Sequence, residues 1–151
     1  MKLAEALILR ADFQKRIQQL RSRLEHCVKV KEGEEPAEDP NALIQEIDTI
    51  YKELTVLIQR INRTNSSVKF DDQRTLADAL VERDLLLNKR GMLSHIAEIA
   101  SIKQDRFSRS EVRFVSTINI AEIQKQVDQL SKEYRELDTR IQGMNWNIEL
   151  M

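Results

Sequence analysis

IAEIQKQVDQLSKEYRELDTRIQGMNWNI, residues 120–148, decides the fold. Its apolar residues Ile120, Ile123, Val127, Leu130, Tyr134, Leu137, Ile141, Met144 and Ile148 step alternately by three and four. A helix turns by about 100° per residue, so this spacing lines them along one stripe, the seam along which helices pack at shallow angles. The same alternation recurs upstream in Leu3, Ala6, Arg10, Phe13, Ile17, Leu20, Leu24 and Cys27. It recurs in Leu43, Ile47, Ile50, Leu54, Leu57 and Ile61, and again in Leu76, Ala79, Arg83, Leu86, Arg90, Leu93, Ala97 and Ala100. Leu7, Ile44, Tyr51, Ile58, Leu80 and Leu87 widen the stripes, which suits a bundle better than a two-stranded coil.

Composition agrees. The 151 residues contain three Gly and two Pro, 41% hydrophobic and 32% charged residues. Few breakers and many Leu, Glu, Lys, Arg and Gln favour long helices with large solvated faces. The expected architecture is all-α, one helical-bundle domain over 1–151, with helices at about 2–28, 41–64, 76–102 and 120–148. Each spans about 38 Å at 1.5 Å per residue. Asp39-Pro40-Asn41 starts the second helix, Thr75 with Asp78 caps the third, and Asn119 with Glu122 has capping-box spacing for the fourth.

Three connections remain. Residues 29–39 (KVKEGEEPAED) form a charged loop with Gly33 and Pro36, expected to be mobile. Residues 65–74 and 104–118 are β-prone loops: Val68-Lys69-Phe70 in the first, Val112-Arg113-Phe114-Val115 in the second. The second is expected to form a small β-hairpin between helices three and four, with Asp105–Phe107 as its first arm and Ser108-Arg109-Ser110 as its turn. A lone two-stranded hairpin is marginal in water. Pairing with Val68–Phe70 within the chain, or support from a second subunit, would stabilise it, which makes a homo-oligomer the expectation.

Arg10, Arg83 and Arg90 occupy seam positions that otherwise take Leu. With neighbouring helices antiparallel, Arg10 and Arg83 fall at about one height, with Asp138 near it. Burying an unpaired guanidinium is costly, so each must pair or reach water. Asp12, Glu82, Asp84 and Asp138 are the candidate partners. Arg10, Arg83, Arg90 and Asp138 then form either a polar layer that fixes register or a ligand site within the bundle. A second candidate set, for an anion or an acidic partner, is Arg63, Asn65, Arg74, Arg106, Arg109 and Arg113. The stretches 60–75 and 101–115 that hold it each carry four basic against two acidic residues. With a net charge of −1, the chain is no general nucleic-acid coat, and nucleic acid is not the expected partner.

Catalytic and metal chemistry find no foothold. His26 and His95 are the sole histidines, and His26 and Cys27 point about 100° apart on a helix. No CxxC pair, di-iron Glu-x-x-His pattern, glycine-rich phosphate loop or Ser-His-Asp set is present. The reading is a non-enzyme with no catalytic residue, no metal and no cofactor. No stretch reaches the roughly 18 apolar residues of a membrane span. The opening residues, MKLAEALILR, read as the start of a helix rather than a secretion signal, and a single cysteine fits a reducing cytoplasm.

Five stretches, LAEALILRADFQKR (3–16), INRTNSS (61–67), TLADALVERD (75–84), QDRFSRSEVRFV (104–115) and IQKQVDQLSKEYRELD (123–138), resemble the septicolysin-like family of small bacterial helical proteins. That resemblance implies a bacterial source and, from the family's name, a haemolytic, membrane-active protein. It carries no catalytic or binding residue onto this chain. The residues themselves lead instead to a cytoplasmic structural or interaction protein assembling through helix faces and the hairpin, with anion or nucleic-acid binding by the arginine loops as a further alternative.

Overall fold

Residues 1–101 and 112–151 are described in a computed structural model of the chain. Four helices follow in order: α1 (Leu3–Glu25), α2 (Pro40–Ser67), α3 (Leu76–Ala100) and α4 (Ile120–Asn147). The chain forms two compact units, one of Met1–Lys69 with Gln142–Met151, the other of Phe70–Ile141.

Local chemistry sets the helix ends. At α1, the Lys2 backbone N–H donates to Glu5 Oε2 at 2.7 Å, a carboxylate answering the positive end of the helix. Asp39 caps α2 by accepting from Asn41 N–H at 3.0 Å, and Pro40 holds the first helical position, where its missing N–H costs nothing. Thr75 and Asp78 close a reciprocal capping box on α3: Asp78 N–H donates to Thr75 Oγ1 at 3.2 Å, and Thr75 N–H donates to Asp78 Oδ2 at 2.8 Å. Asn119 Oδ1 accepts from Glu122 N–H at 3.2 Å ahead of α4. Two ends differ from the sequence expectation. α1 stops at Glu25, where His26 and Cys27 turn back to the carbonyls of Arg23 and Leu24. α2 continues through Asn65-Ser66-Ser67, and the Val68 N–H still reaches the Thr64 carbonyl. Buried Thr64 holds that last turn in place despite its turn-forming residues.

In the first unit α1 and α2 pack along each other. Arg23, near the end of α1, bonds Glu38 just ahead of α2, while residues 150–151 bond both Met1, just ahead of α1, and Arg60, late in α2, so the two helices run antiparallel. Leu3, Ala6, Phe13, Ile17 and Leu20 are buried on α1, and Leu43, Ile50, Leu54, Leu57 and Ile61 on α2. The connection between them takes a positive-φ turn at Gly33 (φ +85°), a conformation that a Cβ would strain. Paired hydrogen bonds from Arg23 to Glu38 fix its far end. In the second unit the ion pair Arg83–Asp138 joins α3 to α4. Phe70, Leu76, Ala79, Ala97, Leu130 and Ile141 are buried there.

The β-hairpin expected between α3 and α4 requires correction. No strand occurs among the described residues; there are only isolated β-bridge residues, Lys2 paired with Glu149, and Lys69 and Thr75 on either side of the turn into α3. Val112, Phe114 and Val115 are 76–82% exposed and are not in a strand. β-branched composition alone does not make a strand; a partner edge must satisfy its backbone. The expected first arm and turn, 105–110, lie outside the described residues. Val68–Phe70 is not a strand either, because Phe70 and Asp71 N–H both bond the Arg74 carbonyl in a tight turn.

Candidate functional site

Arg83 is the best-connected of the seam arginines. Its Nη1 lies 3.0 Å from Asp138 Oδ1 across to α4, and its Nε lies 3.1 Å from Asp84 Oδ1. Arg83 and Asp138 are partly buried, so each charge keeps some water. Arg90 lies half-buried further along α3, and Arg10 lies in the other unit on α1. Among the described residues neither has a carboxylate within ion-pair distance.

The second expected set is split. Arg63 and Asn65 belong to the first unit, Arg74 and Arg113 to the second, and Arg106 and Arg109 lie outside the described residues. Arg74 is already neutralised. Its Nε and Nη2 donate to Asp71 Oδ2 at 2.9 and 2.6 Å, and its Nη1 donates to Glu82. Asp71 also caps the turn by accepting from the N–H groups of Gln73 and Arg74 at 3.0 and 2.8 Å. The Arg74 side chain first, then these backbone donors, pull the Asp71 carboxyl down to about 2.

Beside this turn, buried Phe70 sits under two guanidiniums, with Arg140 at 4.0 Å and Arg74 at 4.9 Å from the ring centre. Arg140 also donates to the Phe70 carbonyl at 2.7 Å. The recess bordered by these groups is lined by Glu82, Glu133 and Glu136 as well. An entering anion would meet three carboxylates there and two guanidiniums already engaged. The arrangement fastens the turn.

A different feature stands out on α3. Val81, Leu85, Met92, Ile96 and Ile99 are large apolar side chains left 42–64% exposed. With Asn88 and His95, also exposed, they recur as 81, 85, 88, 92, 95 and 99, a strict four-three alternation, with Ile96 flanking. At about 100° per residue this stripe lies roughly 175° round the helix from the Ala79–Arg83–Arg90–Ala97 face. α3 therefore bears two heptad faces, one turned inward at Ala79 and Ala97 and one turned to solvent. The exposed stripe amounts to apolar surface on the order of 500 Å², at the upper end of what a monomeric soluble protein leaves bare. In the sequence, Leu80 and Leu87 stand as the edges of the inward series. The signal for the outer series was present in the same spacing, offset by two residues from Ala79, Arg83, Leu86 and Arg90.

Other groups offer less. Nδ1 of exposed His26 lies 2.7 Å from the Ser22 carbonyl of its own helix, and Cys27 is a buried free thiol. Among the described residues, no three His, Cys, Asp or Glu side chains gather to hold a metal ion. No helix among them is long and apolar enough to cross a membrane.

The chain belongs to DUF6847, a family of unknown function, whose family model matches residues 10–150. It is similar to a functionally unknown conserved protein from Corynebacterium diphtheriae, known from its crystal structure. The two are 45% identical, with 100% of this chain and 99% of that one covered and a TM-score of 0.92. No curated protein matches the chain. These findings overturn the septicolysin-like resemblance, since neither the family nor the structural neighbour points to it, and the haemolytic activity it implied falls with it. Stretches such as 3–16 and 123–138 are amphipathic heptad sequence. Their likeness to another helical family reflects a shared period more than shared descent.

Proposed function

We propose that this member of DUF6847 is a non-enzymatic interaction protein whose working surface is the outward stripe of α3. The stripe is the observation that carries the reading. Leaving five large apolar side chains in water costs about 25 cal/mol for each Å² left uncovered, and a partner that covers them recovers that amount. The stripe is continuous, keeps heptad spacing and is interrupted by polar groups only at Asn88 and His95, which is the pattern of a helix-packing seam. Two of the candidate arginines contribute fastening instead: Arg83 ties α3 to α4, and Arg74, with Arg140, pins the turn that leads into α3. Buried Cys27 as a free thiol supports a reducing, cytoplasmic setting.

The test compares the wild type with the double variant Leu85→Glu, Ile99→Glu and with a control, Gln59→Glu, on the exposed face of α2. Far-UV circular dichroism is expected to be equal for all three. Sedimentation velocity and quantitative affinity capture are expected to show associations in the wild type and control that the stripe variant loses. Identical sedimentation and capture for all three would refute the reading.

A further inference from the structure

Resting on that reading, we infer that the occupant of the α3 stripe is a second copy of the same helix, packed parallel and in register. The polar residues within the stripe choose the arrangement. In a parallel pair each seam residue faces its own counterpart, so Asn88 meets the partner's Asn88, and amide can bond amide. His95 meets the partner's His95, where one ring N–H can donate to the other ring's bare nitrogen. An antiparallel pair sets Asn88 against Leu85 or Met92 in either heptad register, leaving a buried amide without a partner.

The flanking charges agree. Taking Leu85, Met92 and Ile99 as one set of seam layers and Val81, Asn88 and His95 as the other, Asp84 precedes a seam residue and Lys89 follows one. Their separation of five residues is the distance at which flanking side chains of parallel helices meet. Asp84 then faces the partner's Lys89, and by two-fold symmetry Lys89 faces the partner's Asp84. Lys89 is exposed and among the described residues forms no ion pair within its own chain. Of the remaining flanking positions, Ala77 faces the partner's Glu82 and Gly91 the partner's Ile96, and Glu98 has no described flanking residue opposite it, so no like charges meet. In size, a stripe on the order of 500 Å² with its flanking side chains approaches the roughly 800 Å² per partner of a standard stable interface.

Sedimentation equilibrium tests the pairing on the full chain. The wild type is expected at twice its 17.7 kDa mass at tens of micromolar. Leu85→Glu and Met92→Glu are each expected at the monomer mass with unchanged helix content; both side chains are solvent-exposed, so neither change touches the buried core. Asn88→Cys is expected to give a covalent dimer under a mild oxidant on a non-reducing gel, whereas the wild type, which keeps buried Cys27, gives none. A monomeric wild type at 1 mM overturns the inference, as does a dimer that survives both glutamate variants. A dimer lost in those variants but without cross-linking at position 88 overturns the parallel register. A monomeric wild type whose stripe variant still loses captured partners refutes self-pairing and leaves the interaction reading standing.

Discussion

Asp71 does several jobs at the turn between α2 and α3. It accepts two backbone N–H groups and holds the Arg74 guanidinium, which itself covers one face of Phe70. All these bonds need the carboxylate, so the folded chain holds the proton off until about pH 2. In the unfolded chain Asp71 returns to the ordinary aspartate range near 4. A folded value below the unfolded one makes the contribution complete above that range and lost as pH falls from about 4 towards 2. Glu149, lowered by Lys2 and the N-terminal amine, and Asp78, lowered by Thr75, act in the same direction. Asp71→Asn should therefore be less stable at neutral pH, and its melting temperature should fall less steeply between pH 4 and 2 than that of the wild type. Thermal melts across that range check the slope. Arg83 differs because its ion pair keeps water. Arg83→Met should change unfolding free energy by about 1 kcal/mol or less, as is usual for pairs that remain partly solvated. Urea titration measures it, and a loss above about 3 kcal/mol would make the pair a buried one in energetic terms.

Among the elements, α3 shows how far a sequence can be read. Its start was legible because Thr75 and Asp78 are a local device, three residues apart, whose geometry depends on nothing distant. Thr75→Ala should cost about 1 kcal/mol, read as a shift in urea midpoint at constant slope. The inward seams were legible for a similar reason: a period of three and four fixes a face, and Leu20, Leu54 and Leu130 are only 3–8% exposed. What stayed hidden depended on partners. Val112–Val115 has strand composition but forms no strand, since composition alone does not set a ladder. Asn65-Ser66-Ser67 has turn composition, yet the preceding helix carries it, since Thr64 is buried and propensity yields to packing there. The outer stripe of α3 shared its period with the inner one, so periodicity revealed a seam without saying that there were two. Arg74 was legible as a charge but not as a paired one: besides nearby Asp71 it is held by Glu82, eight residues on, and nothing in the spacing announces that contact.

At the scale of the whole chain, residues at its two extremes are joined. Lys2 and Glu149 form an antiparallel bridge, flanked by Leu3 N–H to the Ile148 carbonyl and Leu150 N–H to the Met1 carbonyl, both at 2.9 Å. The Lys2 ammonium adds an ion pair to Glu149. Past the bridge, Met151 N–H donates to Thr64 Oγ1 at 3.0 Å, and Arg60 Nε donates to the Met151 carbonyl at 2.9 Å. The final residues thus satisfy groups on both α1 and α2. The hydroxyl of fully buried Thr64 in turn donates to the Arg60 carbonyl, so it both gives and accepts a bond. The apolar anchor of this tie is Leu150, 8% exposed beside the nearly solvent-free Thr64 and Leu3. Leu150→Ala removes that anchor and leaves space that the surrounding helices fill only in part. The expected loss is about 2–3 kcal/mol, the low end for a buried leucine because the site lies at an end of the unit. At roughly 2–4 °C per kcal/mol for a chain of this size, the melting temperature should drop by about 5–10 °C. Met151→Ala, half-exposed and contributing mainly backbone bonds, should shift it by no more than about 2 °C. Amide hydrogen exchange adds a spatial readout: Leu150→Ala should speed exchange at Leu3 and Met151, whose N–H groups bond within the tie, and leave Asp78 and Ala79 at the start of α3 unchanged. Equal melting temperatures for the two variants would mean that the tie rests on its backbone bonds alone and that Leu150 contributes no packing.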